Sequence, residues 1–440
     1  MKFYNYFIIF FFFFGCSFDN KTGIWEDENS IKEIKKNDNT FKDFKNFNSK
    51  KEVFKKTINP KKNLQLFSEP KIINKWNDGY DYEKIINNFG FKEKNLEVYR
   101  SKKLSRSHLS KNLLYKNGNI FISDERGNII IYSVDNNFIL QKFNFYKKKY
   151  KSLDKNLNIL IDGNIIFISD NIGYIYAYNF LEKKVLWAKR NKVPFRSNLK
   201  ILNNYLISAD QNNDLLFFNK KNGDQIKKIP TEKSKINGKF LNYINHDNEN
   251  IYFLNTFGSL YSINKDLNIN WFLNLNKAVE TNANNIFYSN DVLVNNNQVY
   301  VLTNEEFYII NNKNGFIEYK NNFSSNLSPV INGDYIFLLN ENNFLILIDS
   351  KSKEIIYSLD LNSELRDVIS KKKFKFNPLK FKIVNNNLFF FLKDSNLLKL
   401  DVYGNFKEMV DLNSKINSNI LFINNSMLFL NSKNKLVILD

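Results

Sequence analysis

From about residue 92 onward the chain alternates short apolar bursts with short polar ones. NIFISDERGNIIIYSVD (119–135), IIFISDNIGYIYAYNF (165–180), YLISADQNNDLLFFNK (205–220) and IYFLNTFGSLYSINK (251–265) share one form: an apolar strand, a polar turn of about four residues, a second apolar strand. The same form returns at 299–313, 335–350, 389–404 and 427–440. Within the bursts the alternation has a period of two, and a helical period is almost absent, which argues for strands. A polar or small residue opens each turn: Asp124, Asp170, Asp210, Asn255, Thr303, Asn340, Asp394 and Asn431. The seven steps from 124 to 431 average about 44 residues. A fixed period of that size is the mark of a propeller or a solenoid.

Each unit is longer than its hairpin. An apolar stretch precedes it, as in NLNILIDGN (156–164) and NLSPVINGD (326–334), and a turn with a further strand follows it, as in LEKKVLWAK (181–189) and NNKNGFIEYKN (311–321). Asn-Gly between apolar runs is a strong hairpin signal. Each unit is therefore expected to be a four-stranded antiparallel meander, which is the form of a propeller blade. The turns number eight, with seven as the smaller count because the units at 394 and 431 are short. The last unit holds three strands before Asp440, and NLEVYRSK (95–102) is expected to supply its fourth. Pairing the two ends would close the ring and leave no open sheet edge. The expected fold is all-β: an eight-bladed propeller of four-stranded blades over residues 92–440, preceded by a signal peptide (1–15) and a mostly disordered tether (16–91).

The upstream segments carry their own signals. Met1-Lys2 is a short positive start, and Phe7 to Phe14 is an unbroken apolar run. That run is far short of the roughly 20 residues a membrane-spanning helix needs, and it fits the apolar region of an export signal. Gly15 then precedes Cys16, the single cysteine of the chain. A signal ending in a small residue and a cysteine resembles the lipobox of bacterial lipoproteins, with Phe13 and Phe14 standing where Leu and a small residue are usual. This resemblance implies that Cys16 is acylated and becomes the first residue of the mature chain. Ser17, in place of an inner-membrane-retaining Asp, implies the periplasmic face of the outer membrane. The stretch after Cys16 is dense in both charges with isolated Ile and Phe, a composition suited to a disordered tether.

The net charge of +19 invites a nucleic-acid reading, and the residue types argue against it. Only Arg100, Arg106, Arg126, Arg190, Arg196 and Arg366 are arginine, and all other basic residues are lysine. Arginine is the residue suited to bidentate phosphate and base contacts. Lysines spread through turns read as a solvated surface, with a weak attraction to anionic headgroups.

Candidate chemistry is sparse. Cys16 has no nearby histidine to lower its pKa, and a lone thiol allows no disulfide framework. His108 and His246 lack partners at metal-ligand spacing. No glycine-rich phosphate loop occurs. The recurrent turn aspartates read as caps of their own turns.

The unit "apolar strand, D/N-x-x-G, apolar strand, N-x-x-x-G, aromatic" resembles the PQQ-type propeller repeat, in which Trp follows the third turn. Trp187 and Trp271 keep that Trp, and Tyr319 and Tyr357 replace it. Together with the lipoprotein-like start, residues 76–440 resemble the BamB family, the lipoprotein scaffold of the outer-membrane β-barrel assembly machinery. The resemblance implies a non-catalytic scaffold with no cofactor or metal. Its implied partners are the POTRA domains of a BamA-like subunit, the outer membrane through the lipid anchor, and unfolded outer-membrane proteins. It also implies a partner-binding apolar-Arg pair in an inter-blade loop. VPFRSN (193–198) looks most like that loop, with Phe195 and Arg196 as the pair. The same repeat builds quinone-dependent alcohol dehydrogenases, so an enzyme of that kind is the alternative, and a cell-envelope binding module with an unrelated partner is a third reading.

Overall fold

Eight antiparallel sheets account for the repeats: six of four consecutive strands, one of five, and one that joins three late strands to an early one. The computed structural model describes residues 17–18, 25–26, 54–60, 69–78, 88–94, 96–233, 242–276, 287–295, 297–303, 305–369 and 375–440. Residues 1–15 and Cys16, with the export and acylation readings placed on them, lie outside the described residues. Residues 1–52 form a unit of their own, in which Ser17–Phe18 pairs with Trp25–Glu26.

We number the blades in chain order. Blade 1 runs Leu114–Lys116, Asn119–Ser123, Asn128–Ser133, Phe138–Asn144, and blade 2 runs Leu157–Asp162, Ile165–Asp170, Tyr174–Asn179, Lys184–Arg190. Blades 3 to 7 repeat the meander from inner strands Lys200–Leu202, Tyr243–His246, Leu293–Asn295, Val330–Asn332 and Pro378–Val384. Blade 8 has Leu421–Ile423, Ser426–Leu430 and Leu436–Leu439, and its fourth strand is Glu97–Arg100. Ile438 pairs with Tyr99 and Val437 with Arg100, so the expected closure by residues 95–102 is the one observed.

Packing explains the apolar runs. Middle strands lie between neighbouring blades and are covered on both faces. Phe389, Phe390 and Phe391 are therefore all buried, although their side chains alternate in direction. Burying each such side chain contributes about 1.5–3 kcal/mol. Outer strands are less covered: Phe138–Asn144 and Lys184–Arg190 are largely exposed, whereas that of blade 6, Ile355–Asp360, buries Tyr357, Ser358 and Leu359. In all eight blades the pairing of the third and fourth strands shifts register once, for example between Ala177 and Tyr178 or between Ile438 and Leu439. A bulge at that place increases local twist.

Blades are stitched by aromatic side chains. The Trp187 indole of blade 2 donates to the Lys220 carbonyl of blade 3 at 3.1 Å, and Trp271 of blade 4 donates to Asn312 of blade 5 at 3.0 Å. Tyr357 of blade 6 makes the same reach to Val402 of blade 7 at 2.8 Å. At the closing seam, the Tyr99 and Tyr132 hydroxyls join blade 8 to blade 1.

Ordered contacts begin upstream of residue 92. Lys75–Trp76 adds a fifth strand inside blade 1. The Asn77 carbonyl accepts from Ile161 of blade 2 at 2.9 Å, and the Ile73 carbonyl accepts from Asn424 of blade 8 at 2.8 Å. Phe89 exchanges backbone hydrogen bonds with blade 7 through Ile383 and Asn385 at 3.0 and 2.9 Å. Residues 71–78 and 88–91 thus lie on the inner strands of four blades and line the central channel. Ile58 pairs with Ser358 on the outer strand of blade 6. An α-helix, Leu361–Val368, follows that strand and is capped by the Asp360 side chain.

Candidate functional site

The recurrent turn residues are caps. In each of the eight turns a side-chain oxygen accepts backbone N–H groups two and, in most, four residues on. Asp124 takes Arg126 and Asn128 at 3.1 and 3.0 Å, Asp170 takes Ile172 and Tyr174 at 2.8 Å each, and Asn431 takes Lys433 and Lys435 at 3.0 and 3.1 Å. Thr303 does so with its hydroxyl toward Glu305 and Glu306, and Asp394 holds Asn396. Short polar side chains at turn entries favour this geometry, and here it satisfies donors that the hairpin leaves over. These oxygens are spent on backbone, one per blade, and are separated around the ring.

The loop 193–198 between blades 2 and 3 is built inward. Phe195 is 3 % exposed and stacks edge-on against Phe218. Arg196 is 7 % exposed. Its guanidinium donates to the Gln211 carbonyl at 3.0 Å and to Thr256 Oγ1 at 3.1 Å, tying blade 3 to a turn of blade 4. Asn198 completes the tie by a two-way bracket with the backbone of Ile244, at 2.8 and 2.9 Å. Phe195 and Arg196 are therefore brought together, as the sequence suggested, but into the interior rather than onto an open surface. The part of the loop that meets solvent is Lys192, Val193 and Pro194.

The channel holds the concentrated charge. Lys200 of blade 3 and Asp78 of the upstream segment form a buried ion pair at 2.8 Å. Lys382 of blade 7 stands over two rings of the same segment, 5.4 Å from the Trp76 centroid and 4.8 Å from Phe89. Burial, and then the charge of Lys380, push the Lys382 ammonium down to about 7. Burial pushes the Asp291 carboxyl up to about 6, opposed by Lys380 and Lys200 and reinforced by Asp78. A cavity of about 130 Å³ lies against Asp291, Asn326, Ser328, Lys380, Lys382 and Phe89. Sequence reasoning missed this cluster because its members come from three inner strands and a segment without strand periodicity. One signal was present: in PLKFKIV (378–384) two lysines alternate with apolar residues inside a strand that should be covered on both faces.

His246 has its ring Nδ1 2.9 Å from the Asp247 carbonyl oxygen, within its own turn. Among the described residues no three His, Cys, Asp or Glu side chains converge as metal ligands would, and no helix is long and apolar enough to cross a membrane.

Eight capped blades, every second one docked on its neighbour by an outer-strand aromatic, define a PQQ-repeat β-propeller. Within that class the sequence model of the outer membrane protein assembly factor BamB matches residues 147–358, blades 2 to 6. No curated protein sequence matched the chain. Among solved structures, BamB from Moraxella catarrhalis aligns with a TM-score of 0.59 at 11 % identity, over 78 % of this chain and 98 % of that one. The computationally designed protein Ika8 aligns with a TM-score of 0.58 at 8 % identity, over 78 % and 99 %. Quinohemoprotein alcohol dehydrogenase from Comamonas testosteroni aligns with a TM-score of 0.56 at 8 % identity, over 80 % and 76 %. At these identities the structural likeness speaks to the fold.

Proposed function

We propose that this protein is a non-catalytic scaffold of outer-membrane β-barrel assembly, held at the periplasmic face of the outer membrane by an acylated Cys16. The observation that carries the reading is the BamB family match over blades 2–6 on a ring whose recurrent carboxylates are all engaged in turns. A propeller of this kind works by its rims, where loops form platforms and outer strands can pair with a partner's strand. The partner in this reading is a BamA-like subunit, met through its POTRA domains, and unfolded outer-membrane proteins pass nearby. The 193–198 loop is the proposed contact. Phe195 and Arg196 hold its shape, and Val193 and Pro194 are the residues a partner would touch.

Affinity purification of the full chain from its own envelope tests the reading, and recovery of a barrel-assembly subunit is the expected result. Recovery of none would sink it. Asp at Val193 and Pro194 is expected to weaken partner binding with the melting temperature unchanged, whereas Arg196→Ala should lower both. If none of these variants changes affinity, the loop is retired and the scaffold remains. The dehydrogenase reading has one observation in its favour, the fold shared with the quinohemoprotein. Its test is the absorption spectrum after PQQ and Ca²⁺ are added, and a bound quinone would favour it.

A further inference from the structure

The connections between blades at one end of the ring carry an uneven charge. Loop 145–156 joins blade 1 to blade 2 and holds Lys147, Lys148, Lys149 and Lys151, all exposed. Hydrogen bonds knit it to its neighbours. The Lys155 N–H donates to the Glu125 carbonyl in the turn of blade 1 at 2.8 Å, and the Asn156 N–H donates to the Asn171 side chain in the turn of blade 2 at 2.8 Å. The His108 carbonyl, in the connection from blade 8 to blade 1, accepts from Glu125 at 3.0 Å, and the Gly173 carbonyl accepts from Asn191, in the connection from blade 2 to blade 3, at 2.7 Å. One surface therefore runs across three connections, and Arg106, Arg126 and Arg190 are exposed on it as well. Apart from the buried turn caps Asp124 and Asp170, the carboxylates in these segments are the half-buried Glu125 and the exposed Asp154. At the matching turns of blades 5 and 6 the exposed charges are Glu305 and Glu341 instead. Lysine is spread over the whole sequence, but the fold gathers cations on this sector.

The loop is a built platform. Phe145 stacks on Tyr176 at 4.3 Å, the Tyr146 hydroxyl donates to the Asp170 carboxylate, and the Tyr150 and Tyr174 hydroxyls meet at 3.0 Å. These rings fasten it from beneath, while the four lysines and Leu153, 48 % exposed, stay outside. Lys149 stands 4.9 Å over the Tyr150 ring, and no carboxylate lies within 4.0 Å of any of the four ammonium groups among the described residues.

We propose that this sector docks on an anionic phospholipid surface, with the lysines against headgroup phosphates and Leu153 entering the interface between headgroups and acyl chains. Lysine suits that partner. A point charge on a flexible stem can follow a fluid array of phosphates that has no fixed register, whereas one fixed anion is better held by the arginine fork. Several such charges acting with an apolar side chain hold a protein at a bilayer surface. The inference stands apart from the scaffold reading, because it concerns a lipid and not a protein partner.

Lysine footprinting of the full chain tests it. The chain is mixed with vesicles of phosphatidylcholine alone, or of phosphatidylcholine and phosphatidylglycerol in equal parts, then briefly acetylated and mapped by mass spectrometry. The four loop lysines should react about fivefold or more slowly on the anionic vesicles. Lys183, Lys221, Lys265 and Lys313 are exposed in the turns between third and fourth strands, at the opposite end of the blades, and should keep their rates. High salt should restore the reactivity of the loop. In vesicle sedimentation, the combined variant Lys147→Gln, Lys148→Gln, Lys149→Gln, Lys151→Gln should bind the anionic vesicles about tenfold or more weakly. The control Lys183→Gln, Lys221→Gln, Lys265→Gln, Lys313→Gln changes net charge equally and should bind within about twofold of wild type. Leu153→Ser should weaken binding about threefold or more. Residues 1–16 are common to every variant, so any hold they have on the vesicle cancels. Equal acetylation of the loop on the two vesicles, equal losses from the two four-lysine variants, or unaltered binding of Leu153→Ser would each overturn the proposal, the first leaving an acidic protein as the partner that fits.

Discussion

Asp291 shows how a single residue departs from what its neighbours in sequence suggest. Its carboxyl is pushed up to about 6 by burial, against the pull of Lys380 and Lys200 and with the push of Asp78. Because the folded value lies above the unfolded one, the fold holds this proton more tightly than the unfolded chain does. Stability is therefore reduced above about pH 6 and recovers as pH falls from there toward the ordinary value of 3.8. Asp291→Asn is expected to stabilise the protein by on the order of 1–2 kcal/mol near neutral pH and by nothing near pH 4. Urea unfolding at the two pH values checks it, and equal gains at both would refute the assignment. A group kept at a loss of stability is a common mark of a functional site. Arg196 teaches the opposite lesson. The resemblance of its loop to a partner-binding one singled it out in the sequence, and the structure uses it for internal hydrogen bonds across two blades. Removing it leaves acceptors unpaired in the interior, and Arg196→Ala should cost about 1–3 kcal/mol.

At the scale of elements, the legible features were the local ones. Each hairpin announces itself through its own alternation and its own polar turn residue, and no distant part of the chain is needed to form it. The closing strand was legible because blade 8 was short by one strand. The register shift in every blade was not, since a bulge leaves no residue type behind. The channel-lining stretches 71–78 and 88–91 were not legible either. They touch the blades through bridges one or two residues long, too short to build a period. The aromatic stitch between blades offers a sharp test. Gly223 has φ +74°, and a Cβ there would sit 2.3 Å from the Trp187 ring. Gly223→Ala adds left-handed strain to that overlap and should cost about 2–4 kcal/mol. Gly163 also has positive φ, but a Cβ there would meet nothing within 4 Å. Gly163→Ala should therefore cost only about 1 kcal/mol. Thermal melts of the two variants separate docking from backbone strain, and equal losses would show that the indole contact contributes nothing.

The propeller is a ring whose last sheet draws strands from both ends of its sequence. Shortening the chain to end at Leu430 removes Leu436–Leu439, and with it the partner of Glu97–Arg100. Such a chain should lose its cooperative melting transition and aggregate, because two unpaired edges and the apolar face of blade 8 are exposed together. Calorimetry and size-exclusion chromatography read that outcome directly, and a sharp transition in a monomeric peak would contradict it. The family reading gains nothing from this feature, since ring closure serves any propeller equally.

Closure also imposes a schedule. Asp440 and Leu96 hold each other by paired backbone hydrogen bonds at 3.1 and 3.3 Å, and Phe89 leans on blade 7. The segment made first thus waits for partners made last. Until residues 436–440 leave the ribosome the chain can form separate hairpins but no ring, and contacts so distant in sequence slow the closing step. A nascent copy therefore carries its hairpins in an open arc and can close the ring only once residues 436–440 are made.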